Sequence, residues 1–199
     1  ITSPLEVVPT GITGIFSARF HPDGFSLFTS FSLMELENKA TPLSTLFDQS
    51  EIAEHAILNA HSNEERVKII ESYLINQLDT IIVKDRITKS CVHLLLSHNG
   101  NKSINEMANE LNIHRRQMER KFSENIGLSP KQYAKVIRLQ SALRMLWNNQ
   151  DTVLTDLALE NGYYDQSHFI KDFKEITGVR PKDFYKGHLK MSTLFAANE

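Results

Sequence analysis

Residues 161–185 read NGYYDQSHFIKDFKEITGVRPKDFY, and this stretch contains a motif that the chain uses twice. GVRPKDF begins at Gly178, and GLSPKQY, with the same spacing of glycine, proline, lysine and aromatic residue, begins at Gly127. Glycine is common directly after a helix, and proline is common in a first helical turn. Each motif therefore predicts one helix that ends at the glycine and a second that begins at the proline, Pro130 or Pro181.

The similarity extends upstream of the motif. Residues 118–133 match residues 169–184 at an offset of 51, and residues 104–108 match residues 154–158 at an offset of 50. The one-residue difference falls in the turn between the two matching segments, where insertions are tolerated. The chain is therefore predicted to repeat one supersecondary unit.

The first copy is predicted to contain two short helices, INEMANEL and RRQMERKFSEN, around the turn NIH. Met118 and Phe122 are spaced i, i+4 and must face the core. Counting 100° per residue from that side, Arg116 and Arg120 point away from it. The second helix of the first copy therefore presents an arginine-rich outer face.

The second copy is predicted to have the same form, with TVLTDLALEN as its first helix and QSHFIKDFKEIT as its second. Gly162 occupies the turn, where it is free to adopt a positive φ, and Asp165 is a predicted N-cap. Ser167, Lys171 and Lys174 are expected on the outer face. Two helices around a tight turn, with a cationic outer face on the second, are typical of DNA-binding helix-turn-helix units.

Between the copies, PKQYAKVIRLQSALRMLWNN predicts a helix of about nineteen residues, roughly 28 Å long. Its apolar residues lie on more than one side, which indicates packing against several neighbours. We expect it to act as a spacer that holds two recognition helices about one helical turn of DNA apart, roughly 34 Å.

The net charge of −2 conceals an asymmetry. Residues 1–83 carry four Lys/Arg and eleven Asp/Glu, whereas residues 84–190 carry eighteen and twelve. A basic half joined to an acidic half suggests that the C-terminal half alone meets a polyanion; the alternative is an uneven distribution over solvated surfaces.

The quoted stretch closely resembles the signature of the AraC/XylS family of bacterial transcription regulators, in which a Gly-aromatic turn is followed by D-x-S-x-F, a basic residue, F-K, G-x-x-P and an aromatic residue. The resemblance covers about residues 84–188, including a first helix through DRITKSCVHLLLSH. It implies an all-α domain with two helix-turn-helix units and a linker helix, which binds double-stranded promoter or operator DNA. His114, Tyr164 and Lys171 depart from the usual family residues, and these departures bear on the preferred base sequence.

The resemblance and the helix positions select two groups of candidate DNA-contacting residues. Base contacts are expected from Arg115, Arg116, Glu119 and Arg120 in the first unit and from Gln166, Ser167, Ile170 and Lys171 in the second. Phosphate contacts are expected from Ser129, Lys131, Lys174, Arg180 and Lys182, because free N–H groups of helices that begin at Pro130 and Pro181 also attract anions.

The N-terminal half gives weaker sequence signals for its fold. GIFSARFHPDGFSLFTSF alternates like short strands around an HPDG turn, and two helices are expected through STLFDQSEIAEHAILNA and SNEERVKIIESYLINQL. Ser62 and Glu65 form a predicted capping box. The segment RFHPDGFSLF…MELENKATPLSTLF resembles the poorly characterised N-terminal domains of a subset of AraC-type regulators. In that family such domains sense a small-molecule effector or form a homodimer, although the acidic, amphipathic helices could equally pack only within their own chain. RNA polymerase is a further partner that the resemblance allows.

The predicted fold is therefore mainly α. A smaller α+β segment over residues 1–79 precedes an AraC-type DNA-binding domain over residues 80–190, and residues 191–199 form a tail. The predicted function is sequence-specific regulation of transcription. Two alternatives stay open: the DNA-binding half could be an address for an N-terminal ligand-binding or enzymatic domain, or the chain could be an RNA-binding module. RNA binding would require exposed aromatic residues, whereas the predicted outer faces offer Arg, Lys, Ser and Gln.

Catalytic and metal motifs are not found in the sequence. The eight histidines show no H-x-x-x-H spacing, there is no C-x-x-C pair and there is no Gly-rich phosphate loop. Cys91 lies in the apolar run CVHLLL and is predicted to be a buried small hydrophobe. We expect no enzymatic activity, cofactor or metal. We also expect a cytoplasmic protein without a membrane partner, because no apolar run is long enough to span a bilayer.

Overall fold

A computed structural model describes residues 2, 11, 14–29, 31–78, 85–148 and 153–187, and the prediction of a mainly α fold is confirmed. Short 3₁₀ helices occupy Phe25–Leu27 and Leu33–Leu36. The α-helices in these ranges are α1 Leu43–Leu46, α2 Ser50–Asn59, α3 Asn63–Gln77, α4 Arg86–Ser97, α5 Ile104–Glu110, α6 Arg115–Ile126, α7 Pro130–Asn148, α8 Leu154–Glu160, α9 Gln166–Thr177 and α10 Pro181–Gly187.

The described residues form two compact units. The first comprises residues 7–93 and 104–130, and the second comprises residues 1–6, 94–103 and 131–199, in each case as far as these residues are described. Helix α4 contributes to both units. The predicted domain boundary at residues 79 and 80 and the predicted tail both lie outside the described residues, so the domain limits stay a prediction.

The prediction of short strands around the HPDG turn is wrong for the described residues. Residues 14–29 contain no strand. The turn itself is present, since the Gly24 N–H donates to the His21 carbonyl at 2.8 Å, but the chain then enters a 3₁₀ helix instead of returning as a paired strand. The Phe20 ring packs against the rings of Phe25 and Phe28, with centroid distances of 5.1 and 5.2 Å. The alternating aromatic residues therefore form a local cluster, and the described N-terminal segment is helical rather than α+β.

The two helices predicted after this segment are present, with one interruption. The first is divided into α1 and α2 at residues 47–49, where Gln49 adopts a left-handed φ of 57°. Helix α3 begins as predicted, because Ser62 Oγ accepts from the Glu65 N–H at 3.1 Å. The Glu65 carboxylate in turn accepts from the His61 N–H at 2.7 Å, which satisfies a second donor at the helix start.

In the first unit, α6 is held between α4 and the N-terminal segment. Lys121 Nζ lies 3.2 Å from Asp85 Oδ1, and Asp85 also accepts from Thr88 Oγ1 at 2.9 Å, next to the first turn of α4.

Cys91, in the middle of α4, is fully buried as predicted. Burial, with a smaller contribution from the Asp85 carboxylate, raises the pKa of the Cys91 thiol to about 12. This thiol is a packing group rather than a nucleophile.

Among the described residues of the second unit, α7, α8 and α9 meet in an apolar core. Its buried members are Leu139, Ala142, Leu146, Leu157, Ala158, Tyr163, Phe169 and Phe173. The aromatic rings pack edge to face in series: Tyr163 on Phe169 at 5.3 Å, then Phe169 on Phe173 at 5.6 Å. The series ends on Phe184 of α10, 5.4 Å from Phe173. This core fixes the inner side of α9 and leaves its outer side to solvent.

Candidate nucleic-acid interface

The two helical pairs, α5 with α6 and α8 with α9, are connected by turns with the same hydrogen bond. The Ile113 N–H donates to the Ala108 carbonyl at 3.0 Å, and the Tyr163 N–H donates to the Ala158 carbonyl at 2.9 Å. The predicted repeat is therefore confirmed at the level of the backbone. Both positions carry a buried alanine, whose small side chain permits close packing around the turn.

The residue that precedes the shared hydrogen bond adopts a left-handed conformation in both turns. Asn112 has φ 51° and Gly162 has φ +73°. After these positions the second copy contains one more residue before its recognition helix, and the backbone match identifies the insertion as Tyr164, which is 88% exposed. Asp165 then caps α9 as predicted, because its Oδ1 accepts from the His168 N–H at 2.7 Å.

The inner side of α6 is apolar and its outer side is cationic, as predicted. Met118 and Phe122 are completely buried. Arg115, Arg116 and Arg120 are exposed on the other side. The buried residues therefore hold α6 in place, and its arginines are presented to solvent.

The three arginines differ in their surroundings. Arg115 donates to Glu119 Oε1 at 3.0 Å and to Asn105 Oδ1 at 3.1 Å. Arg120 donates to Glu124 Oε1, also at 3.0 Å. The Arg116 guanidinium forms no hydrogen bond or ion pair with any part of the chain that the structure describes. Arg115 and Arg120 must therefore release an intramolecular partner before they bind another group, whereas Arg116 does not need to.

The outer side of α9 is less strongly cationic. Ser167, Lys171 and Lys174 are exposed. Gln166 is half-buried and its Oε1 accepts from Thr155 Oγ1 at 3.2 Å, whereas Ile170 is half-buried against the core of the second unit. Of the four residues predicted to contact bases here, Ser167 and Lys171 are thus fully presented, and Gln166 and Ile170 lie at the edge of the face.

The repeated Gly-x-x-Pro motif ends one helix and begins the next in both copies, as predicted. Gly127 and Gly178 both have φ +80°, and their N–H groups donate to the carbonyls of Ser123 and Lys174, each at 2.9 Å. Pro130 and Pro181 are buried at the first positions of α7 and α10. Four of the predicted phosphate-contacting residues, Lys131, Lys174, Arg180 and Lys182, are exposed, and the fifth, Ser129, is half-buried.

A group of charged residues on the inner side of α9 was not predicted. Lys135 and Arg138 of α7 lie against Asp172 of α9, which is only 3% exposed. The signal that could have identified this group is the position of Asp172 directly before Phe173 and three residues after Phe169, at the edge of the apolar side of the helix. A carboxylate at that position requires a buried partner.

Within the described residues, no three His, Cys, Asp or Glu side chains are arranged to hold a metal ion. None of the helices in this part of the chain is both long enough and apolar enough to cross a membrane.

Two helical pairs, each with a cationic outer face on its second helix, give the chain two helix-turn-helix units. Residues 107–187 match the family model described as a helix-turn-helix domain. An uncharacterised HTH-type transcriptional regulator of Haemophilus influenzae is 30% identical over 154 residues, and the match covers 73% of this chain and 51% of that protein. The HTH-type transcriptional regulator MtrA of Neisseria gonorrhoeae is 28% identical over 179 residues, and the match covers 86% of this chain and 55% of that protein.

Among solved structures, the C-terminal domain of AraT, a response regulator from Geobacillus stearothermophilus, aligns with a TM-score of 0.48 and 21% identity, over 51% of this chain and 85% of that one. The match over residues 107–187 is to a helix-turn-helix domain family, and the predicted resemblance to AraC-type regulators is confirmed for this part of the chain. The chain spans about half the length of the two curated relatives named above. The resemblance of the N-terminal segment to the N-terminal domains of AraC-type regulators stays a prediction.

Proposed function

We propose that this chain is a sequence-specific DNA-binding regulator of transcription, whose recognition helices α6 and α9 enter adjacent segments of the major groove. The observation that carries the proposal is the repeated arrangement of an apolar inner side and an exposed cationic outer side on these two helices. The match to the helix-turn-helix domain family and the names of the relatives support it. Double-stranded DNA is the partner, the cytoplasm is the compartment, and the proposal includes no enzymatic step.

Base discrimination in this proposal is divided unequally between the units. An arginine can form two parallel hydrogen bonds with guanine O6 and N7, whereas lysine acts as a point charge. Helix α6 presents three exposed arginines, and the cation among the four base-contact candidates of α9 is Lys171. We therefore assign most of the base discrimination to the first unit, with Arg116 as its leading residue because it is unpaired within the described chain.

Phosphate contacts are assigned to exposed cations close to the ends of the recognition helices. Lys131 follows the C-terminal end of α6, and Lys182 holds the equivalent position after α9. Cations that flank a recognition helix fix its register on the duplex without reading sequence. Lys174 and Arg180 extend the same cationic edge in the second unit.

The proposal is tested by selecting bound sequences from a random duplex pool with the full chain at moderate salt. We expect an enriched motif with two parts. A variant with Arg116→Ala and Lys171→Ala should enrich a weaker motif or none, whereas Lys89→Ala, which removes an exposed cation from α4, should enrich the same motif as the unmodified chain. If the folded, unmodified chain enriches no motif, the proposed function is rejected.

A further inference from the structure

The carboxylate of Asp172 is buried inside the second unit although α9 is a recognition helix with a solvent-exposed outer side. Its Oδ1 lies 3.1 Å from Lys135 Nζ. Its Oδ2 lies 4.0 Å from Arg138 Nη2 and 3.7 Å from Nε2 of His168, one turn earlier on α9. A buried charge is costly to leave unpaired, so these contacts constrain where α9 can lie on α7.

The two cations are themselves anchored to other parts of the same unit. Arg138 Nη1 donates to the Gly100 carbonyl at 3.1 Å, and its guanidinium lies over the Tyr163 ring, 5.4 Å from the centroid. Burial alone would lower the pKa of Lys135, but its hydrogen bonds with Glu175 and Asp172 outweigh burial and raise the pKa. The Asp172 carboxylate is therefore held from α7, which is in turn tied to the segment after α4 and to the turn before α9.

Stability alone does not account for this arrangement. Three buried atoms in it, Asp172 Oδ2, Arg138 Nε and Tyr163 Oη, have no hydrogen-bond partner among the described residues. A partly satisfied polar cluster contributes less to stability than apolar packing of the same volume. The directional contacts of a polar cluster do, however, favour one orientation of a helix over slightly different orientations, which apolar packing does poorly.

The first unit contains an ion pair at the equivalent position, with the charges reversed. The repeat offset of 51 makes Lys121 of α6 the counterpart of Asp172 of α9 in the sequence. Lys121 pairs with Asp85, next to the first turn of α4, whereas Asp172 pairs with Lys135 in the first half of α7. Both copies therefore anchor the recognition helix to the helix that precedes the pair, at the same helical position.

We propose that Asp172 is a positioning residue for DNA recognition, whose pairing with Lys135 sets the orientation of α9 and therefore the place at which Ser167 and Lys171 meet the bases. The inference rests on the proposed function. The reversed charges mean that the two recognition helices cannot exchange places. Asp172→Lys would place a cation against Lys135, and Lys121→Asp would place a carboxylate against Asp85. Each recognition helix is thereby matched to the helix that precedes its own pair, α6 to α4 and α9 to α7.

The test uses the full chain and the two-part motif obtained by selection, with the base pairs of the second part identified by the discrimination that Lys171→Ala removes. Dissociation constants are measured for the motif and for duplexes altered in either part. Asp172→Asn removes the charge at nearly constant volume, and Lys135→Met removes its partner from α7. Each should reduce discrimination at the second part about tenfold, the scale of one mismatched base pair, and leave discrimination at the first part unchanged.

Glu175→Gln is the matched control. It removes the same charge from the same helix, and Glu175 Oε1 lies 3.0 Å from the same Lys135 Nζ, but the carboxylate is 52% exposed. Its discrimination at both parts should equal that of the unmodified chain. The double variant of Asp172 and Lys135 should lose no more than either single variant, because both remove one interaction, whereas two independent structural defects would add.

The outcomes separate the inference from the function on which it rests. If the unmodified chain discriminates at both parts, and folded Asp172→Asn and Lys135→Met do so equally well, the inference is overturned while the proposed function stands. If Asp172→Asn does not fold, the result with Lys135→Met decides. Loss of folding in both variants would also overturn it, because the cluster would then serve to hold the unit together. Absence of any selected motif rejects the function itself.

Discussion

The backbone carbonyl oxygen of Leu33 lies 2.6 Å from the point that a β-carbon would occupy on Gly127. Leu33 begins the second 3₁₀ helix and is buried, and Gly127 ends the first recognition helix with φ +80°. The glycine is thus required twice, by its left-handed backbone and by the close approach of another segment. Through this contact the N-terminal segment packs against the C-terminal end of α6.

Gly127→Ala should lower the free energy of unfolding by about 1 to 3 kcal/mol, because alanine must adopt a strained φ and displace a backbone carbonyl. Urea denaturation measures the change. Gly14→Ala is the control, since nothing lies within 4 Å of a β-carbon at that position. It should change stability by less than about 0.5 kcal/mol. Equal stability of the two variants would show that the Leu33 contact does not constrain Gly127.

Arg116→Ala should cost about 1 to 3 kcal/mol of binding free energy on the selected motif and relax the preference at one or two base pairs. Arg120→Ala should cost less, because the Arg120 guanidinium must first leave Glu124. Titrations on the motif and on single-base variants separate these effects, with Lys89→Ala as the charge-matched control. Equal reductions in affinity on all duplexes would mean that Arg116 contacts phosphate instead of a base.

Replacing Lys131 and Lys182 together with Gln should weaken binding to specific and non-specific duplexes by similar factors. The slope of log K against log salt should become shallower by up to about two units, because each lysine is expected to neutralise one phosphate. Replacing Lys39 and Lys68, two exposed lysines of the N-terminal segment, removes the same charge and should leave the slope unchanged. An unchanged slope in the Lys131 and Lys182 variant would show that the repeated motif serves folding alone.

Cys91 should make the folded state less stable at alkaline pH. The pKa of its thiol is about 12 in the folded protein but near the ordinary value of 9.0 when the chain is unfolded, so the unfolded state loses the proton first. Stability is therefore unaffected below pH 9 and falls above it, by up to about 1.4 kcal/mol per pH unit. Denaturation between pH 8 and pH 10.5 should show a steeper decline for the unmodified chain than for Cys91→Ala; parallel curves would contradict the buried-thiol account.

The C-terminal half could be predicted from sequence because its signals are local. The N-cap at Asp165, the glycines that end α6 and α9 and the prolines that begin the next helices each act within one helical turn. The repeat then tied these local signals together, since every feature of one copy could be checked in the other. Even the turn conformation agrees, with Asn112 serving where the second copy has Gly162.

Two features could not be predicted, for physical reasons. Alternating apolar residues form a strand only if a neighbouring strand pairs with them, and here the half-buried rings of Phe20, Phe25 and Phe28 instead pack against one another. The ion pairs of Lys121 with Asp85 and of Lys135 with Asp172 join residues 36 and 37 positions apart. Such pairs depend on how the helices pack, which no local pattern specifies.

The central claim is that two recognition helices read two adjacent segments of the major groove, and methylation interference on the selected motif tests it most directly. Methylation of guanine N7 blocks the major groove, so interfering guanines mark the segments that the protein occupies. We expect two clusters of interfering positions, with centres about 10 base pairs apart on one face of the duplex. Arg116→Ala should remove positions from one cluster and Lys171→Ala from the other. A single cluster that both substitutions affect alike would contradict the claim.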